Sequence, residues 1–296
     1  MNADGKTVET HRLTVRYNGL PAVDSVDLSV ERGSVYALLG RNGAGKSSIV
    51  RCLLGFQKPD SGVARLFGRD AWLHRARLMD RVGIVPEHPD APPEMTPAEI
   101  MRFLSKTYTR WNQAATENRL KRFRVPMDTP FGRLSKGQMR QTLLSIALAS
   151  EPELLVLDDP TLGLDIVARA ELFEELIVDL ADRGTTVLIT THDLAGIEGI
   201  ANRIGVLHES RLIIDEEVDT LKRRFRRIRL KASEAERIPF HRLRTRQTSS
   251  NVETVVTDFE EDRWASLSSE LSEADSLPMS LEEIFVEVSK TEEVAV

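Results

Sequence analysis

Apolar and polar residues alternate through Leu13, Val15 and Tyr17, and again through Val26, Leu28 and Val30. Period-two alternation predicts two half-buried strands, ended by the turn pairs Asn18-Gly19 and Arg32-Gly33. Three later runs, at 35–39, 153–158 and 185–191, are apolar with little alternation. Such runs predict strands buried on both faces. Residues 168–183 carry the spacing of an amphipathic helix, and 98–150 reads as helical with breaks at Val125-Pro126 and Phe131-Gly132. The segment 86–97 is rich in proline and acid and predicts a loop. Strands alternating with helices predict an α/β fold with a mostly parallel sheet. A boundary is expected near 219–225. Beyond it, 227–231 and 251–259 alternate as strands, and Leu281–Val288 has helical spacing. The expected division is a main domain over 1–222, with a helical insertion at about 88–152, and a small α/β extension over 223–296. No internal repeat is visible.

One stretch turns this outline into chemistry. Gly40-Arg41-Asn42-Gly43-Ala44-Gly45-Lys46-Ser47 fits G-x-x-x-x-G-K-[ST], between the apolar run at 35–39 and a helical run from Ser48. Glycines let the backbone curl so that successive N–H groups face phosphate oxygens. Lys46 supplies a point charge for the β- and γ-phosphates, and the Ser47 hydroxyl is a magnesium ligand. The positive end of the helix faces the same anion. The run Leu154-Leu155-Val156-Leu157 ends in Asp158. After a phosphate loop, a carboxylate at the end of such a strand is positioned to order Mg²⁺.

Composition narrows the partners. The chain has 296 residues, 41% of them hydrophobic and 29% charged, with net charge −6. That balance argues against nucleic acid as a stable partner. The basic stretch from Lys222 to Arg229 reads as a solvated linker face, with nucleic acid or anionic lipid as the other reading. The single cysteine, Cys52, reads as a small buried hydrophobe. No apolar run reaches the length of a membrane span. Residues 1–10 carry Asp4 and Glu9 and no apolar core, unlike a secretory signal. A cytoplasmic location follows as the expectation, with any membrane span supplied by another chain.

The string Leu134-Ser135-Lys136-Gly137-Gln138 lies shortly before the Asp158 strand and resembles the LSGGQ signature of ABC-type ATPases. Other elements of that family fall in order. Tyr17 stands where the family has an adenine-stacking aromatic, Pro86-Glu87 where a loop usually carries Gln, Gly163-Leu164-Asp165 at the D-loop, and Thr190-Thr191-His192-Asp193 at the switch histidine. The resemblance covers about residues 6–220 and implies a phosphate-loop, RecA-like core with an antiparallel β subdomain. It further implies ATP held between the phosphate loop of one chain, including Ser48, and Ser135, Lys136, Gly137 and Gln138 of a second. Asp159 and His192 are then the catalytic pair, and Ser47, Asp158 and Glu87 the magnesium ligands. Gly137 is expected to open a helix N-terminus suited to a γ-phosphate.

Three departures from the family stand out. Asp159 replaces the usual Glu and is one methylene shorter; misplacement by about 1 Å can cost on the order of 10²-fold in rate. Slow turnover and a nucleotide-gated clamp with little hydrolysis are both open readings. Glu87 replaces Gln, as a metal contact or a solvated loop acid. Lys136 replaces a glycine, either adding charge near the partner's ATP or pointing to solvent. Tyr17 has the alternative of plain strand core. Lys136, Tyr108-x-x-Trp111-Asn112 and Ser280-Leu281-Glu282-Glu283-Ile284-Phe285 look like the bacterial export branch with separate ATPase and membrane chains. The partners implied are a second ATPase subunit, expected as a homodimer, and integral membrane subunits docking at the insertion and the Glu87 loop. The location implied is the inner face of the cell membrane. The alternative is a soluble motor on ribosomes or DNA. Ribosome-acting members usually carry two such domains, and DNA-repair members a long coiled coil; this sequence shows one such ATPase domain and no visible coiled coil.

Overall fold

The computed structural model describes residues 5–88, 91–194, 196–247, 250–271 and 273–290. Asp4 in the amino-terminal segment and Pro89-Asp90 in the proline-rich loop lie outside them. The chain divides into two compact units, residues 1–215 and 216–296.

The first unit runs β1 (Lys6–Tyr17), β2 (Leu20–Glu31), β3 (Val35–Gly40), α1 (Lys46–Leu53), β4 (Ser61–Leu66), β5 (Arg69–Asp70), α2 (Ala71–Leu78), β6 (Val82–Val85), α3 (Pro97–Leu104), α4 (Gln113–Arg122), α5 (Lys136–Ala149), β7 (Leu154–Asp158), α6 (Ile166–Arg183), β8 (Thr186–Thr191), β9 (Arg203–His208) and β10 (Arg211–Glu217). Its central sheet has the order β10-β9-β3-β8-β7-β6. The ladders from β6 through β7, β8 and β3 to β9 are parallel. Every residue of β3 and β8 is buried, as expected for strands covered on both faces. A second sheet, β2-β1-β4-β5, is antiparallel. A continuous core joins them: Val8, Leu13, Val26 and Leu66 of the antiparallel sheet pack with Ile49 and Leu53 of α1 and Leu38, Val156 and Leu188 of the parallel one. The phosphate-loop α/β core with an antiparallel β subdomain is thus present.

The insertion has the expected interruption around Val125-Pro126 and Phe131-Gly132, between α4 and α5, and a further one that was not expected. Residues 105–112 are not helical, and the run is three helices, α3, α4 and α5. Local sequence sets their starts. Thr96 and Glu99 form a capping box with Pro97 at the first helical position, and Asn112 caps α4. Buried Glu175 on α6 accepts from Arg119 of α4 at 2.5 Å and from Arg122 at 2.5 Å, a triad tying the insertion to the core.

The second unit contains α7 (Val218–Arg224), β11 (Arg226–Lys231), β12 (Arg242–Gln247), β13 (Asn251–Val256), α8 (Glu261–Ser268), β14 (Asp275–Pro278) and α9 (Leu281–Val288). Its antiparallel sheet has the order β12-β13-β11-β14. Ile228, Leu230, Phe240, Val256, Phe259 and Trp264 form its own core. The basic stretch expected as a linker is instead α7 and β11. Its cations pair within the unit: Arg224 with Glu216 at 2.6 Å, Arg227 with Glu283 at 3.0 Å, and Arg229 with Glu253 at 2.8 Å.

Candidate nucleotide site

Strand β3 delivers the loop 41–45 to the carboxyl end of the parallel sheet, and α1 leaves from it. Gly43 and Gly45 have φ of +84° and +110°. A Cβ on Gly45 would lie 2.1 Å from the Ala22 carbonyl oxygen, so only glycine fits where β2 crosses the loop. Helix α1 has no side-chain cap at its N-terminus and no acid in its first turn. Its positive end is therefore left open by the helix's own side chains, as an anion site requires. Lys46 is buried at 6% exposure and donates to the Gly40 carbonyl at 2.6 Å. Burial pulls its ammonium below the usual lysine value, while Asp159, Asp158 and Glu87 oppose that shift.

A cleft of about 510 Å³ is lined by Tyr17, Ala22, 42–48, Glu87 and Asp159. Gly40 and Arg41 do not line it; their carbonyls lie 2.6 and 3.4 Å from the Lys46 ammonium. Tyr17 is 44% exposed, so the strand-core reading fails for its side chain. Its hydroxyl donates to Gln57 at 2.7 Å and lies 3.4 Å from the Ser48 hydroxyl, which leaves the ring at the edge of the cleft.

Two carboxylates stand at the end of β7, Asp158 as its last residue and Asp159 just after it. Asp158 stands opposite Thr190 in the β7–β8 register, and the Thr190 hydroxyl donates to it. Burial pushes the Asp158 carboxyl up; the Thr190 hydrogen bond opposes that, and Asp159 and Glu87 add to it. Asp159 sits at φ +44°, a conformation that Asp and Asn tolerate better than longer side chains. Its Oδ1 accepts from the His192 backbone N–H at 3.2 Å, and the His192 ring Nδ1 lies 3.0 Å from the same oxygen. Asp158 and His192 do not line the cleft; His192 contacts Asp159, which does.

The signature residues lie elsewhere. Ser135, Lys136, Gly137 and Gln138 line a separate cleft of about 380 Å³ with Gly163, Leu164 and Asp165. The helix opens at Lys136 rather than Gly137. Ser135 is its N-cap, accepting from the Gln138 N–H at 3.2 Å, while Gln138 accepts from the Ser135 N–H at 3.1 Å. The Lys136 stem passes beside Gly163, 3.6 Å from where a Cβ would stand. Asp165 accepts from the Ala168 N–H at 2.8 Å and so caps α6. One chain therefore brings the phosphate loop, Glu87 and Asp159 together and holds the signature and Asp165 apart from them.

Ala22 and Gln57 carry no motif and were not expected at the site, and Thr190 was expected only as the start of the switch-histidine run, not as a partner of Asp158. The strand register is what places Thr190 beside Asp158. Among the described residues no group of three or more His, Cys, Asp or Glu is arranged to hold a metal unaided. Magnesium that shares nucleotide oxygens and keeps waters needs only one or two carboxylates, and the oxygen donors of Ser47, Asp158 and Glu87 are hard ligands of the right kind.

Comparison with known proteins agrees with this geometry. The family profile described as "ABC transporter" matches residues 23–162. The bacitracin transport ATP-binding protein BcrA of Bacillus licheniformis is 33% identical over 74% of this chain and 72% of its own length. The daunorubicin/doxorubicin resistance ATP-binding protein DrrA of Streptomyces peucetius is 33% identical over 73% of this chain and 67% of its own length. A solved ATP-binding subunit of an ABC transporter superposes with TM-score 0.66 at 27% identity, covering 73% of this chain and 92% of that one. The chain belongs to the ABC transporter ATP-binding family, a family of ATP-binding ATPases.

Proposed function

We propose that this chain is the ATP-hydrolysing subunit of an exporter whose membrane-spanning parts are separate chains. Relatives named for bacitracin transport, Nod factor export and drug resistance support export of an amphiphilic or lipid-like cargo. No described helix is long and apolar enough to cross a membrane, which fits docking on other subunits at the cytoplasmic face. The observation that carries the reading is the separation of two half-sites on one chain. Each is incomplete alone, and a second copy turned head to tail completes both.

In the closed pair, Tyr17 stacks on adenine, and 40–48 with Lys46 hold the phosphates. Ser47, Asp158 and Glu87 are the residues that would hold magnesium, whose charge offsets that of the phosphates. Ser135 and Gly137 of the second copy approach the γ-phosphate, and Asp165 lies at the junction. Asp159 orients the attacking water, and His192 holds Asp159 and senses the γ-phosphate. The short Asp159 side chain, drawn back onto His192, favours slow turnover. The same contact supports the second reading, a clamp in which ATP binding is itself the signal.

Purified chain should bind ATP, dimerise with it and hydrolyse it, and Lys46→Ala should lose all three. Dimerisation without measurable phosphate release selects the clamp. Co-purification from detergent extracts should recover an integral membrane protein; recovery of ribosomes or DNA instead would overturn the export reading.

A further inference from the structure

Arg140 on α5 is 3% exposed and belongs to neither cleft. Its Nη2 donates to the Glu87 carbonyl at 2.7 Å, and its Nε donates to the Leu162 carbonyl at 3.0 Å. Its Nη1 is buried with no hydrogen-bond partner among the described residues. Asp159, Glu87 and Asp158 lie close enough to favour its charge against the cost of burial. A buried cation facing backbone carbonyls needs a reason, because an apolar side chain would pack there at less cost.

The partners supply one. Glu87 lines the phosphate-loop cleft. Leu162 directly precedes Gly163-Leu164-Asp165, which line the signature cleft. Arg140 itself is five residues past Ser135, the cap of the signature helix. The guanidinium fork is planar and rigid, so it fixes the separation of the two carbonyls it joins. A lysine is a point donor on a flexible stem and cannot hold both in one geometry.

We propose that Arg140 is the positioning residue that couples the two half-sites, locking the Glu87 loop and the turn into Asp165 to the signature helix so that all three move together. The inference rests on the two-chain ATP site proposed above. When a second copy engages the signature, the displacement of α5 reaches the Glu87 loop of the same chain through this one side chain. The unpartnered Nη1 gives the fork a donor to exchange as the loops shift.

The test compares wild type with Arg140→Lys, which keeps the charge, and Arg140→Met, which keeps the stem. Hydrogen exchange in the nucleotide-free chain should rise in the Glu87 and Leu162 segments together, in both variants. Nucleotide affinity and KM should stay within about 3-fold of wild type, while kcat and ATP-driven dimerisation fall roughly 10-fold. A kcat restored by lysine, loosening of one segment alone, or loss of nucleotide affinity matching the loss of kcat would each overturn the coupling. If neither variant folds, wild type decides: an ATP analogue should alter exchange in both segments, and a response in only one overturns the proposal. Wild type that binds no ATP refutes the two-chain reading instead, while the nucleotide-free exchange comparison still decides whether Arg140 locks both loops.

Discussion

A methyl group on Gly45 would stand 2.1 Å from the Ala22 carbonyl oxygen, whereas one on Gly43 would meet nothing within 4 Å. Both glycines have positive φ, so alanine strains either backbone by about 1–2 kcal/mol. Only at Gly45 does a clash add to that. Gly45→Ala should abolish nucleotide binding and lower thermal stability well beyond Gly43→Ala; equal effects in fluorescence titration and melting would refute the steric account. Asp159 poses the reverse problem. Its φ of +44° suits a short acid, so Asp159→Glu gains reach at a backbone cost of about 1 kcal/mol. The expected outcome is faster phosphate release, by about 10-fold or more, with a slightly lower melting temperature. A variant no faster than wild type would show that side-chain length does not limit the rate. Much of this site was legible in the sequence, because phosphate binding demands glycines, Lys46 and Ser47 at fixed spacing. Ala22, Gln57 and Arg140 were not, because each acts through a contact made between distant segments; Thr190 was legible as part of the switch motif, but its bond to Asp158 was not.

At the scale of elements, the strands that were legible are those with a clear pattern: alternation in β1, β2, β11 and β13, and continuous apolar runs in β3, β7 and β8. Strand β6 is only four residues, and Val82-Gly83-Ile84-Val85 offers neither length nor alternation to mark it. It is held by an ion pair next to its start. Arg81 donates twice to Glu153, at 2.7 Å each, just before β7. The hydrogen bond and charge of Arg81 hold the Glu153 carboxyl below its ordinary value. A folded-state value lowered below the unfolded one stabilises the fold at neutral pH, and that contribution is lost as pH falls through the folded value. The pair is about one-third exposed, so solvent screening limits it to about 0.5–1 kcal/mol. Glu153→Gln should therefore lower stability at pH 7 by about that amount, and the gap to wild type should close as pH drops below the ordinary carboxylate range. Urea titrations across that range measure it, and a gap independent of pH would remove the ion pair as its cause.

At the scale of the molecule, the separation of the two clefts leads to one prediction that neither cleft could make alone. Lys46→Ala damages only the phosphate-loop cleft. Ser135→Arg damages only the signature cleft, by placing a bulky side chain at the cap of α5. If each ATP is held by one cleft from each of two chains, neither variant should turn over ATP alone. Mixed in equal amounts they should recover it, because a mixed pair places the intact phosphate loop of the Ser135→Arg chain against the intact signature of the Lys46→Ala chain. Its other site carries both lesions and stays silent, so about a quarter of the wild-type sites return if pairing is random. Recovery should rise and fall with the mixing ratio, peaking at equal proportions, because only unlike pairs contribute. A site complete within one chain predicts instead that the Ser135→Arg variant hydrolyses ATP unaided and that mixing adds nothing. Phosphate release across mixing ratios separates the two.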